Sequence, residues 1–257
     1  MKSFPFVCLA LLLVGAPRGV AEDFDSDGVK IHYEVQGHGP PVVMIHGLLA
    51  SAKRNWEWPG IIAQLTNQHQ VIALDCRGHG LSDKPSADGQ YGLKMVDDVV
   101  RLMDHLKIKQ ADVVGYSMGG MITMKLMFLH PERVRSAVVG GMGWFQESGR
   151  MPVSPGGQNQ NAFVACVKGF AELALTEKEV RGITNRFLVL IGERDPLRVR
   201  TVEPLRKIRP DVPINVIEGA NHLNCIMKDE FKTALKSFLQ DGGANQIQTP
   251  KSAESGK

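Results

Sequence analysis

Short apolar runs recur along the chain, and each stops abruptly at a glycine or an acid. Val42-Val43-Met44-Ile45 ends at His46-Gly47, Val71-Ile72-Ala73-Leu74 at Asp75, and Val113-Val114 at Gly115. The run over 134–139 ends at Gly140-Gly141, Leu188-Val189-Leu190-Ile191 at Gly192, and the run over 214–217 at Glu218-Gly219. Uninterrupted runs of this kind predict strands covered on both faces, as in a parallel sheet. The stretch 29–35 instead alternates apolar and polar residues, and Gly37-His38-Gly39-Pro40 follows it as a turn. Between the runs, 58–65, 93–106, 120–129 and 231–239 have the spacing of helices. Strands alternating with helices predict an α/β domain, and right-handed crossovers place helices on both faces of a mostly parallel central sheet.

Segment 144–175 breaks the alternation. It carries Gly, Pro, Gln and Asn, then a helical run over 162–175. Two readings stand: a short lid over the carboxyl ends of the strands, or a long surface loop followed by an ordinary crossover helix. Trp144, Phe145, Phe163 and Phe170 would be lid core or substrate wall. Thr176-Glu177-Lys178-Glu179 has the pattern of a capping box and restarts a helix. At the amino end, Lys2 precedes the apolar run 6–14 and the small-residue stretch Gly15-Ala16-Pro17-Arg18-Gly19-Val20-Ala21. This is the layout of a secretory signal peptide, with cleavage expected after Ala21, since a cut after Ala16 would place Pro17 across the scissile bond. The run is too short to span about 30 Å of hydrocarbon. The expected organisation is a leader over 1–21, one α/β domain over 22–240, and a polar disordered tail over 241–257. The expected location is secreted or periplasmic.

Length and composition allow a single domain with a large core, with 257 residues of which 43% are hydrophobic. Without residues 1–21, 28 basic residues face 27 acidic ones, and no basic cluster stands out. That balance argues against nucleic acid or an anionic membrane as the main partner, and no stable membrane insertion is expected after cleavage. Oligomeric state stays open. Cys76, Cys166 and Cys225 remain beyond the leader, enough for one internal disulfide with a thiol left over. Their spacing fits no zinc pattern, and no metal is expected.

The candidate chemistry centres on Gly115-Tyr116-Ser117-Met118-Gly119, where a strand meets an apolar helix through one sharp bend. Close approach of backbone within the bend excludes a side chain at the two glycines. The bend lifts the Ser117 hydroxyl above the sheet edge and aims the first helical amides at whatever it attacks. A serine hydroxyl is protonated at neutral pH, so it needs a base, and histidine suits that task best. In a strand order that runs nucleophile, acid, histidine, Asp195 follows a core strand and only His222 lies beyond it. Gly140-Gly141-Met142-Gly143 offers no competing carboxylate. His46 is expected to fix the neighbouring loop, and His79 to brace Asp75-Cys76-Arg77-Gly78-His79-Gly80. His32, His69, His105 and His130 read as surface or helix-end residues.

Five signals in order, His46-Gly47-Leu48, Asp75-x-Arg-Gly-His-Gly80, Gly115-x-Ser-x-Gly119, Gly192-x-x-Asp195 and Gly219-x-x-His222, resemble the α/β-hydrolase superfamily over about 29–239. Within it the chain looks like the small serine carboxylesterase and haloperoxidase-like branch. The resemblance implies the α/β-hydrolase fold with Ser117 as nucleophile, His222 as base and Asp195 as the acid that orients it. It also implies an oxyanion hole from the backbone N–H groups of Leu48 and Met118. No cofactor is implied. The expected activity is hydrolysis of carboxylic esters or lactones of small substrates through an acyl-enzyme. Two alternatives are cofactor-free haloperoxidase or perhydrolase chemistry, and a non-catalytic ligand-binding protein on a hydrolase scaffold. Relatives often carry a longer cap, so a short insertion implies a relatively open site.

Overall fold

The computed structural model describes residues 19–146 and 160–244. Eight strands form one sheet: β1 (Val20–Asp25), β2 (Lys30–Gly37), β3 (Pro41–Ile45), β4 (Gln70–Leu74), β5 (Ala111–Tyr116), β6 (Val134–Gly140), β7 (Arg186–Gly192) and β8 (Ile214–Ile217). They lie in the order β1-β2-β4-β3-β5-β6-β7-β8. β2 runs antiparallel to both of its neighbours, and every pairing from β4 to β8 is parallel. The helices are α1 (Ile61–Leu65), α2 (Leu93–His105), α3 (Met118–Leu129), α4 (Gln160–Leu173), α5 (Glu177–Gly182), α6 (Glu203–Ile208) and α7 (Asp229–Ala244). This is the α/β-hydrolase fold, with a mostly parallel sheet sandwiched between helices.

The apolar runs are continuous because successive residues feed different cores. Val43, Ile45, Val113, Val139 and Val189 pack with side chains of α2, α3 and α4 on one face. Val42, Met44, Val114, Val138 and Leu190 pack with α1 and α7 on the other. The alternation of side chains across a strand sends neighbours to opposite layers, so both faces of a strand call for apolar residues. α3 is buried along most of its length, which its all-round apolar sequence requires.

The structure extends or shifts several expected elements. β1 occupies Val20–Asp25, where no apolar pattern marks a strand, and its Val20 and Ala21 pair with Val35 and Glu34. The expected leader therefore overlaps the first two positions of β1, and residues 1–18 lie outside the described residues. α1 begins only at Ile61, because Gly60 before it has φ +77° and breaks the helical path. At the other end α7 runs through Asp241 to Ala244 rather than giving way to tail at 241; the remainder, 245–257, lies outside the described residues. Thr176 does cap α5, with its hydroxyl on the Glu179 amide and the Glu179 side chain on the Thr176 amide. Among the described residues no helix is long and apolar enough to cross a membrane.

A buried ion pair ties the loops of this layer together. Arg77 donates from Nε and Nη2 to the Asp98 carboxylate on α2, each at 2.6 Å, and from Nη1 to the Gln90 carbonyl. The Ser26 hydroxyl, from the β1–β2 turn, donates to the same carboxylate at 2.5 Å. Both charged side chains are almost fully buried. A paired, bidentate arrangement is what makes their burial tolerable.

Candidate active site

The carboxyl ends of β3, β5, β7 and β8 deliver the residues that the sequence singles out. Ser117 sits at the apex of the bend between β5 and α3 with φ +54° and ψ −112°. A non-glycine residue in that region costs on the order of 1–3 kcal/mol, a strain that persists only where the surroundings impose it. Here they do. The Ser117 amide donates to the Gly140 carbonyl of β6, and the first turn of α3 hangs from the Ser117 carbonyl. A side chain on Gly115 would run into the Gly119 carbonyl, and one on Gly119 into the Ile45 carbonyl of β3. The bend is thus wedged both against itself and against the neighbouring strand.

Asp195 and His222 reach Ser117 from farther along the sheet. The Ser117 Oγ lies 2.9 Å from His222 Nε2, and His222 Nδ1 lies 2.7 Å from Asp195 Oδ2. The other Asp195 oxygen accepts the Leu197 amide at 2.9 Å, and the carboxylate has no exposed surface. With Oδ2 accepting from Nδ1–H, the imidazole presents an unprotonated Nε2 to the serine. The loop carrying His222 folds back over the end of β7, where Arg194 donates to the Ala220 carbonyl. Only glycine at 192 allows this, because a Cβ there would stand 2.5 Å from that carbonyl oxygen. Asn221 and Asn224 close the loop on itself, each side-chain oxygen accepting an amide of the other.

Met118 follows the serine in the chain, and Gly47, which precedes Leu48, lies against it, where a Cβ would stand 3.3 Å from the Ser117 Cβ. Met118 opens α3, so its amide has no intrahelical acceptor. The Gly47–Leu48 peptide is pinned by side chains. Asn55 Oδ1 accepts the Gly47 amide at 2.7 Å, and His46 Nδ1 donates to the Gly47 carbonyl at 2.7 Å. The His46 tautomer is set by its other nitrogen, which accepts the Cys76 amide at 3.0 Å. In a trans peptide, holding the Gly47 carbonyl turns the Leu48 N–H the opposite way. Burial, with His79 5.2 Å away ring to ring, pulls the His46 pKa down to about 4, so the ring is neutral. Asp75 links this loop to the next, accepting the Ala52 and Leu81 amides at 2.8 Å each.

The surroundings answer several open points. His69 is buried rather than at the surface, in the turn that follows α1. Cys76, Cys166 and Cys225 are all free and buried, so the described residues contain no disulfide. Trp144 and Phe170 are buried in the core, while Phe145 and Phe163 pack against it half-buried. α4 is fastened to the body: Glu172 accepts the Leu93 amide at the start of α2, and Cys166 Sγ lies 4.0 Å from Met118 Sδ. Residues 147–159 of the expected lid lie outside the described residues. Sequence reasoning missed Asn55, whose position eight residues beyond Gly47 follows no motif. It also passed over Tyr116 as an unassigned letter of the bend; its hydroxyl donates to the His222 carbonyl at 2.6 Å.

Comparison with known proteins agrees with this fold. Residues 40–163 match the family model described as alpha/beta hydrolase fold. The chain is 37% identical over 123 residues to the 2-hydroxymuconate semialdehyde hydrolase of Pseudomonas sp. (strain CF600), covering 48% of this chain and 43% of that protein. It thus spans less than half the length of that curated relative. A 2-(acetamidomethylene)succinate hydrolase of Mesorhizobium japonicum is 24% identical over 274 residues, covering 88% of this chain and 97% of that one. The solved structure of Est816, described as an N-acyl homoserine lactone degrading enzyme, superimposes with a TM-score of 0.72 at 26% identity, covering 84% of this chain and all of that one.

Proposed function

We propose that this chain is a member of the α/β-hydrolase superfamily and, within it, a serine hydrolase that cleaves carboxylic esters or lactones of small molecules. The observation that carries the reading is the relay from the Ser117 hydroxyl through His222 to the buried Asp195 carboxylate. In the proposed cycle the Ser117 Oγ bonds to the acyl carbon as its proton passes to His222 Nε2. The carbonyl oxygen, now negative, faces the Leu48 and Met118 amides. Such donors matter because each one lost costs about 2.7–4 kcal/mol of transition-state stabilisation. Collapse breaks the bond to the alcohol, which leaves with the proton from His222. Water then attacks the acyl carbon, gives its proton to His222, and the acid departs as the proton returns to Oγ. Asp195 keeps the imidazole in the tautomer that can accept each of these protons. No step calls on a cofactor.

The lactone-degrading relative supports a small cyclic or open-chain ester as substrate, and the near-neutral charge of residues 22–257 supports no nucleic-acid partner. The amino-terminal segment supports export, to the periplasm or beyond, with a mature chain that begins at Glu22. Turnover of p-nitrophenyl acetate, labelling by a fluorophosphonate and hydrolysis of a panel of lactones test the activity. Wild type is expected to react in the first two assays, and Ser117→Ala to fall to background, a loss on the order of 10⁶-fold where such residues act as a unit. A folded wild type that neither turns over nor becomes labelled would return the protein to the ligand-binding class.

A further inference from the structure

Two strands separate the nucleophile from the histidine along the sheet edge, because β6 and β7 stand between β5 and β8. Something must hold that span to a fraction of an ångström, since a displacement of about 1 Å in a reacting pair can cost on the order of 100-fold in rate. From its side, the His222 loop crosses over Gly192. From the other side the crossing is made by a ring. The Tyr116 side chain lies over Gly140 and Gly141 at the end of β6, where a Cβ on either glycine would come within 2.8 Å of the ring. Phe231 of α7 meets the same ring edge to face, with centroids 6.0 Å apart. At the far end the hydroxyl donates to the His222 carbonyl at 2.6 Å, and the two rings lie 5.7 Å apart, centroid to centroid.

We infer that Tyr116 is a positioning residue, a strut whose backbone precedes Ser117 and whose hydroxyl fixes the His222 backbone, and which thereby sets the Ser117–His222 distance. Gly140 and Gly141 at the end of β6 and Gly192 at the end of β7 are the clearances through which strut and loop meet. Burial holds the phenol far above its ordinary pKa, so the hydroxyl stays a donor at every working pH. Its charge state therefore plays no part. Substrate does not need to touch Tyr116 for this to work.

The inference rests on the serine-hydrolase reading, and the test separates the two. Wild type, Ser117→Ala, Tyr116→Phe and Phe231→Leu are compared for kcat and KM on p-nitrophenyl acetate, for fluorophosphonate labelling rate, and for Tm. Tyr116→Phe keeps the ring and removes one hydrogen bond. It is expected to lower kcat and labelling by about tenfold or more with KM within about twofold. Phe231→Leu loosens the packing but keeps the hydroxyl, so it is expected to lower Tm while leaving kcat within about threefold. Tyr116→Phe retaining wild-type kcat, or equal kcat losses in the two variants, would overturn the strut and leave the hydrolase reading intact. An unlabelled, inactive wild type would overturn both.

Discussion

His46 illustrates how much a residue beside the chemistry contributes without taking part in it. Its neutral ring accepts from Cys76 and donates to Gly47, and a proton on Nε2 would set two donors against each other. The native pKa of about 4 lies below the ordinary 6.5, with burial the main cause and His79 the second. Below pH 6.5 the unfolded chain therefore binds a proton that the folded chain refuses. The stability tied to this ring is complete above pH 6.5 and drains as pH falls towards 4, at up to about 1.4 kcal/mol per pH unit. Burial lowers the His69 and His79 pKa values too, so they act with the same sign. Urea midpoints measured between pH 7.5 and 4.5 should fall steeply, and His46→Gln should be weaker at pH 7.5 but show a shallower slope. Equal slopes in the two proteins would assign the acid sensitivity elsewhere.

Elements reveal their origin in the sequence to different degrees. The parallel strands were legible because burial on both faces leaves an unbroken apolar run, and the capping box of α5 because its two residues bond each other locally. β1 was not. Its Val-Ala-Glu-Asp-Phe-Asp sequence shows burial only at Phe24, and it becomes a strand because β2 offers it an open edge. The order of elements also made Ser117, Asp195 and His222 stand out as candidates, while the braces that surround them left no trace. Asn55 and Tyr116 work through single side-chain bonds to backbone, the second across 106 residues, and no periodicity records such a bond. Arg77 falls between these cases: it was visible as part of a turn motif, but its partner Asp98 was just another polar position of a helix. Breaking that pair strands a carboxylate in the interior. Arg77→Met is expected to lower the free energy of unfolding by about 3–5 kcal/mol in urea titrations, and adding Asp98→Leu to recover part of it. A loss under about 1 kcal/mol would mean that water reaches the site.

At the scale of the whole molecule, entry and chemistry lie at opposite ends of the sheet. Val20 pairs near the end of β2 that meets the start of β4, whereas Ser117 stands at the carboxyl ends of the parallel strands. A chain that starts at Glu22 loses only two edge pairings, Val20 with Val35 and Ala21 with Glu34. It is expected to match the longer protein in turnover and to melt within about 5 °C of it, since a loss near 1 kcal/mol moves the Tm of a domain this size by roughly 2–4 °C. Calorimetry and ester turnover on the two forms decide this, and a truncated chain that fails to fold would show β1 to be indispensable. The three unpaired cysteines among the described residues bear on the molecule as a whole in a different way. Burial pushes the Cys166 and Cys225 thiols up to about 12, and Cys76 well above its ordinary value, so at neutral pH none offers a thiolate. Three sulfurs sealed in this way cannot meet a chromogenic disulfide while the interior stays shut. Their rate of consumption then counts how often the protein breathes, a clock that needs no attached dye.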